Sequence, residues 1–261
     1  MHLKVESLEN FVSNSTKLDY IGEYAFKNCP LTIIDLSKGV REIGNGAFSE
    51  SNIKEIKLPS NIEKIGNNAF PYHSSQEANV YLEDLDNWYK AKLVDSGSSP
   101  FRIANNTKLY HKKQLVTSLT IGNINKINDY VFAECKSLES VIIDNNVDSI
   151  GIETFYNCSN ITDLKIGNNV KVIPKRAFLN CSKIEKVILG TNINEVEYNA
   201  FGSTKPKEVY CYATTPPTID ASSNFNKIDK KTAKLYVPKG TYSAYYLSNW
   251  GSIFTNIIEM D

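Results

Sequence analysis

Residues 21–26 read IGEYAF, residues 43–48 IGNGAF and residues 65–70 IGNNAF, one phrase returning at a spacing of 22. Its phenylalanine continues along the chain as Phe26, Phe48, Phe70, Phe132, Phe155, Phe178 and Phe201, at intervals of 22, 22, 62, 23, 23 and 23. Five residues before each stands an aliphatic residue (Ile21, Ile43, Ile65, Ile127, Ile150, Ile173, Val196), and a small or β-branched residue directly precedes it. Self-similarity at a fixed period of this size identifies a repeat architecture.

The stretches between phenylalanines are patterned too. Leu138, Val141, Ile143, Val147 and Ile150 recur as Ile161, Leu164, Ile166, Val170 and Ile173, then as Ile184, Val187, Leu189, Ile193 and Val196. The alternating pair predicts a short strand with one buried face. Just beyond the strand stand Gly39, Asn61, Asn146, Asn169 and Asn192, which read as a left-handed corner. In IGNGAF, Ile43 and Phe48 are assigned to the core, Ala47 leaves room beside the ring, and Gly44 is expected to turn the chain. A unit of this length cannot bury its apolar side alone, but stacked copies share a core, each strand pairing with its equivalent next door. The expected fold is α/β: a solenoid of about eight coils, mainly short parallel strands with short helical turns, with a core roughly 40 Å long.

The consensus L-x-x-I-x-L-x-x-x-V-x-x-I-G-x-x-A-F-x-x-C closely resembles the BspA-like class of leucine-rich repeats. It differs from the ribonuclease-inhibitor type, which carries an Asn after the strand motif and a longer convex helix. The resemblance runs over residues 18–212 apart from one insertion. The stretches VYCYATTPPTI and LYVPKGTYSAYYLSNWGSIFTNI look like the closing segments of such proteins from Bacteroides-type gut bacteria. What the resemblance implies is a right-handed solenoid, a bacterial cell-surface or secreted location, and adhesion to host or bacterial surface proteins.

Breaks in the pattern set the expected organisation. Residues 1–17 form an N-terminal cap or the stub of a preceding domain, residues 18–212 the solenoid, and residues 213–261 a C-terminal cap. The interval of 62 before Phe132 marks an insertion at about 83–115, with a helical turn around Asp86–Lys90, an SGSSP loop and a hairpin near Leu109–Leu115. It is either an excursion packed on the solenoid or a protrusion that binds a partner through Trp88 and Tyr89. Further on, TTPP is expected to stop regular coiling. Leu235, Tyr236 and Val237 then supply a last strand, and Tyr245, Trp250, Phe254 and Ile257 cover the end of the core.

Chemistry finds little support. The 29 basic and 29 acidic residues cancel, which argues against nucleic acid or an anionic membrane as partner. No apolar run is long enough to span a bilayer, and the start HLKVESLEN is not signal-like, so an exported form would have lost its signal from this chain. Cys29, Cys135, Cys158 and Cys181 each sit three residues after a repeat phenylalanine. Metal ligation and stacked disulfides are possible uses of such a column; burial as small hydrophobes is the simpler one. His2, His73 and His111 lack triad partners, and Glu83–Asp84 and Glu195/Glu197 read as solvated turns. The sequons at Asn14, Asn105, Asn157, Asn160 and Asn180 follow from Asn-rich composition. Neither an enzymatic activity nor a cofactor or metal is expected, and the chain reads as a monomer.

The outward face of the strands remains. One stripe holds Ile33, Glu55, Ser140, Asp163, Lys186 and Glu208; the next holds Asp35, Lys57, Tyr81, Thr120, Ile142, Lys165, Ile188 and Tyr210. Ile33, Tyr81, Ile142, Ile188 and Tyr210 are apolar or aromatic where water is expected. Such residues mark either a binding surface or plain β-propensity. The candidate partner-binding set is Ile33, Asp35, Lys57, Tyr81, Trp88, Tyr89, Ile142, Lys165, Ile188 and Tyr210. Three functions compete: protein recognition, glycan capture with Tyr81, Trp88, Tyr89 and Tyr210 stacking on sugars, and a spacer displaying another domain.

Overall fold

A computed structural model describes residues 9–13, 15–36 and 39–261, the side chains of residues 73–76 excepted. His2, Asn14, residues 1–8 of the expected N-terminal cap and the side chain of His73 therefore lie outside the described residues. The chain divides into two compact units, one of Met1–Thr117 with Asn128–Ser137, the other of Ser118–Ile127 with Leu138–Asp261.

In the first unit, the strands Asn10–Val12, Ile33–Asp35, Glu55–Leu58, His73–Leu82 and Ala104–His111 pair in parallel, and Gln114–Leu115 folds back antiparallel on the last. A four-stranded second sheet runs through Tyr20–Ile21, Glu42–Ile43, Lys64–Ile65 and Lys92–Leu93. In the second unit a seven-stranded parallel sheet takes Ser118–Ile121, Ser140–Ile143, Asp163–Ile166, Lys186–Leu189, Glu208–Cys211, Lys234–Val237 and Asn256–Glu259. Val172–Ile173, Glu195–Val196 and Thr218–Ile219 form its smaller companion. Both units are parallel-strand solenoids, as the repeat predicts. Their coils come to about 11 turns, not eight, because the insertion and both end segments contribute rungs of their own.

The repeat columns become physical layers. Leu138, Val141, Ile143, Val147, Ile161, Leu164 and Ile166 are all buried, and the phenylalanines stack, Phe155 on Phe178 and Phe178 on Phe201 each at 5.4 Å. Their backbones are tied across coils: the Phe155 amide donates to the Ala177 carbonyl and the Phe178 amide to that of Ala200. Apolar burial, worth about 25 cal/mol per Å2, and a backbone bond therefore reinforce each other at these corners.

Two corner assignments are corrected. Asn61 and Asn146 sit in turns but not with positive φ; their side-chain amides instead donate to the carbonyls of Gly39 and Gly122 in the preceding coil. Of the expected corner column only Gly39 is left-handed (φ 85°), Asn169 and Asn192 not being so either; in the coils the left-handed residues recur two before and two after the phenylalanine, as in Glu153 (φ 51°) and Asn157 (φ 57°), or Arg176 (φ 56°) and Asn180 (φ 64°). Gly44, expected to turn the chain, is glycine for a different reason. A Cβ there would come within 2.7 Å of the Glu23 nitrogen and 2.9 Å of the Gly22 carbonyl carbon, so its absence lets adjacent coils touch.

The insertion is a coil in disguise. Ala104–His111 pairs in parallel with His73–Leu82, continuously from Glu77 opposite Asn106 to Leu82 opposite His111 and with Tyr81 opposite Tyr110, and Lys92–Leu93 extends the second sheet. Phe101 stacks on Phe132 at 6.1 Å. A helical turn at Leu85–Trp88 and the hairpin closing at Gln114–Leu115 stand where the sequence placed them. TTPP does not end the coiling: Thr218–Ile219 pairs with Glu195–Val196 immediately after it. At the C-terminus Tyr245, Trp250 and Phe254 are buried, with the Trp250 indole donating to the Pro217 carbonyl at 2.9 Å. Ile257 is half-buried within the final strand.

Candidate recognition faces

Strand geometry sends alternate residues outward, and the register decides which of them share a column. In the first unit Ile33 lies beside Glu55, and Asp35, Lys57, Tyr81 and Tyr110 follow one another rung by rung. In the second the column runs Thr120, Ile142, Lys165, Ile188, Tyr210, Tyr236 and Ile258. Of the candidate set, Ile33, Asp35, Lys57, Tyr81, Ile142, Ile188 and Tyr210 are half-buried and Lys165 exposed. All eight point away from the core.

Trp88 and Tyr89 do not belong with them. Both are buried, at 1% and 3% exposure, and neither protrudes. The Trp88 indole donates to the Val131 carbonyl at 2.9 Å and packs edge-on against Phe101, while Tyr89 lies against Phe132. Burial drives the Tyr89 phenol pKa well above its usual range. Their rings pack in the core of the insertion coil, so neither is available to stack on sugars as the glycan-capture alternative required.

Two tyrosine pairs stand out in their place. Tyr81 and Tyr110 stack at 4.9 Å with 20° between planes, and Tyr210 and Tyr236 at 4.3 Å with 7°. In the second unit the Lys186 ammonium lies 5.1 Å from the Tyr210 ring centre, and the Tyr210 hydroxyl donates to Glu208 at 3.2 Å. Desolvation first, then that hydrogen bond and the Glu208 charge, push the Tyr210 phenol up to about 12. Ile188, Tyr210, Tyr236 and Ile258 occupy successive rungs, a ridge roughly 14 Å long at the spacing of paired strands. In the first unit Lys57 donates to Asp35 at 3.1 Å and lies 3.4 Å from Glu55. The hydrogen bond to Asp35 leads the effects that raise the Lys57 pKa.

Sequence reasoning missed Tyr110, Tyr236 and Ile258 as members of these columns. A signal for the tyrosines was present: VYL at 80–82, LYH at 109–111, VYC at 209–211 and LYV at 235–237 repeat an outward Tyr after a buried aliphatic. The cysteines take the place expected of small hydrophobes. All five are buried free thiols; Cys181 donates to the Phe155 carbonyl at 3.1 Å, and burial raises its pKa steeply. Among the described residues no group of acidic, His and Cys side chains is arranged to hold a metal ion, and no helix is long and apolar enough to cross a membrane.

A family model described as the BspA type leucine rich repeat region matches residues 3–91 and 103–232, in 6 copies. A search of curated proteins found no match. Among solved structures the chain is similar to the pneumococcal vaccine antigen PcpA, with a TM-score of 0.47 and 15% identity over 98% of this chain and 84% of that one. It is also similar to a leucine rich cell surface protein from Faecalibacterium prausnitzii, with a TM-score of 0.42 and 15% identity over 94% of this chain and 78% of that one. A leucine-rich repeat protein from Bacteroides ovatus is similar with a TM-score of 0.30 and 17% identity over 97% of this chain and 94% of that one.

Proposed function

The chain belongs to the BspA-type leucine-rich repeat family, and from that premise we propose that it is a non-enzymatic recognition protein of the bacterial cell surface or extracellular space, whose outward strand face binds another protein in adhesion. The observation that carries the reading is the ridge of Ile188, Tyr210, Tyr236 and Ile258 on the second unit. A solvated sheet face is ordinarily polar, whereas four successive apolar or aromatic side chains on a rigid scaffold have the make-up of an interface centre. Tyrosine suits this role, because it supplies large contact area with little rotamer freedom to lose. The rim has the matching polarity, with Lys186, Glu208 and Lys234 in the adjacent column.

Rigidity supports the same conclusion. Ile188, Tyr210 and Tyr236 are fixed by backbone ladders on both sides, Ile258 by one on the edge strand, and the tyrosines also by each other, so little ordering cost is left for binding. The test is capture of defined partners from host extracellular-matrix and bacterial surface extracts by the wild type and by an Ile188→Glu/Tyr236→Glu variant. A partner bound saturably by the wild type, with affinity at least about tenfold lower for the variant, is the expected result. Equal recovery of every partner by both proteins would leave the spacer reading in its place.

A further inference from the structure

The first unit carries a second surface of different chemistry. A cleft of about 710 Å3 is lined by Asp35, Glu55, Lys57, Tyr81, Leu82, Glu83, Tyr110, Lys112 and Lys113, a volume within the roughly 300–1,000 Å3 of small-ligand sites. One wall is the stacked pair Tyr81–Tyr110. The rungs that precede Tyr81 in the column carry Lys57 and Asp35 instead of an apolar residue. The lining holds three carboxylates, Asp35, Glu55 and Glu83, and three ammonium groups, Lys57, Lys112 and Lys113, so its net charge is zero.

From this combination we infer that the Tyr81–Tyr110 cleft binds a neutral carbohydrate, a pyranose unit of an uncharged glycan. A pyranose offers an apolar C–H surface to an aromatic side chain and a rim of hydroxyls that both donate and accept. The cleft matches both demands: an aromatic wall, and carboxylate acceptors interleaved with ammonium donors. The balance of charge argues against an anionic glycan, an acidic peptide or a phosphate group, each of which needs a surplus of positive charge. Preorganisation is built in, since Lys57 is held between Asp35 and Glu55 at 3.1 and 3.4 Å.

A second observation points to the same place. Lys112 and Lys113 form the two-residue turn between Ala104–His111 and Gln114–Leu115, with φ of 48° and 64°. Such turns favour Asn and Gly, which occupy the left-handed region cheaply, and here two consecutive lysines occupy it instead. No ion pair to a described residue engages them. The turn places two ammonium donors on the edge of the cleft.

This inference does not rest on the protein-binding ridge, and the test separates them. The wild type, Tyr110→Ala, Tyr110→Phe and Tyr210→Ala/Tyr236→Ala are compared on an array of neutral, sialylated and sulfated oligosaccharides, and by saturation-transfer NMR with the neutral sugars at millimolar concentration. The expected result is binding to one or more neutral glycans that falls about tenfold or more in Tyr110→Ala, with Tyr110→Phe and the second-unit variant close to wild type. Circular dichroism establishes that each variant is folded; retention by Tyr110→Phe excludes a folding effect at that position. Binding to acidic glycans only, binding to neutral glycans unaltered by Tyr110→Ala, or no neutral glycan bound by either method would each overturn the assignment.

Discussion

The repeat phenylalanine shows how one residue type does several jobs at once. Phe178 is fully buried, stacked on both sides at 5.4 Å, and bonded through its amide to the next coil. Phe26 has the same place in the repeat but lies near the N-terminal end of its stack, where it is only half-buried. Truncation should therefore separate them: Phe178→Ala is expected to cost about 3–5 kcal/mol in urea denaturation, and Phe26→Ala roughly half as much or less. Equal losses would mean that position in the stack does not govern the energetics. The column itself was legible because its spacing is fixed by coil geometry and its burial leaves no choice of residue. The asparagine columns were not, since Asn serves equally as a left-handed residue or as a side-chain donor; Asn146 takes the second role toward Gly122 while Asn157 takes the first. Tyr110 and Tyr236 escaped notice because the recurrent outward Tyr after a buried aliphatic, in VYL, LYH, VYC and LYV, falls at irregular intervals.

At the scale of elements, the insertion teaches how a coil can lose its spelling and keep its geometry. From Asn106 to His111 its strand pairs rung by rung with Glu77–Leu82, after a register shift between His73 and Glu77, and Phe101 stands in for a repeat phenylalanine, although the residues between them follow no consensus. Trp88 and Tyr89 looked available for binding only because the pattern that would have assigned them to the core had lapsed. The structure buries them against Phe101 and Phe132, with the Trp88 indole bonded to the Val131 carbonyl. The hairpin that ends this coil makes a separate prediction. Replacing Lys113, at φ 64°, with glycine should raise stability by up to about 1 kcal/mol, since relief of left-handed strain exceeds the added chain entropy of glycine. A rise in the urea midpoint is the expected readout; a fall would show that the turn is not strained.

Across the whole molecule, the two faces of each coil divide the labour. Corner residues such as Phe155, Cys158 and Cys181 are buried and repeat closely, whereas the outward strand columns change identity from rung to rung, from Thr120 and Lys165 to Tyr210 and Tyr236. Constancy builds the scaffold, and variation sets the outward surface that we propose a partner reads. The most direct measurement of that claim places a photoreactive phenylalanine analogue either at position 236, on the ridge, or at position 198, an exposed corner tyrosine of the same unit. Each protein is then irradiated with a partner captured by the wild type. The account predicts a cross-linked adduct from position 236 that unlabelled wild type competes away, and none from position 198. Adducts from position 198 alone, or equally from both, would contradict it.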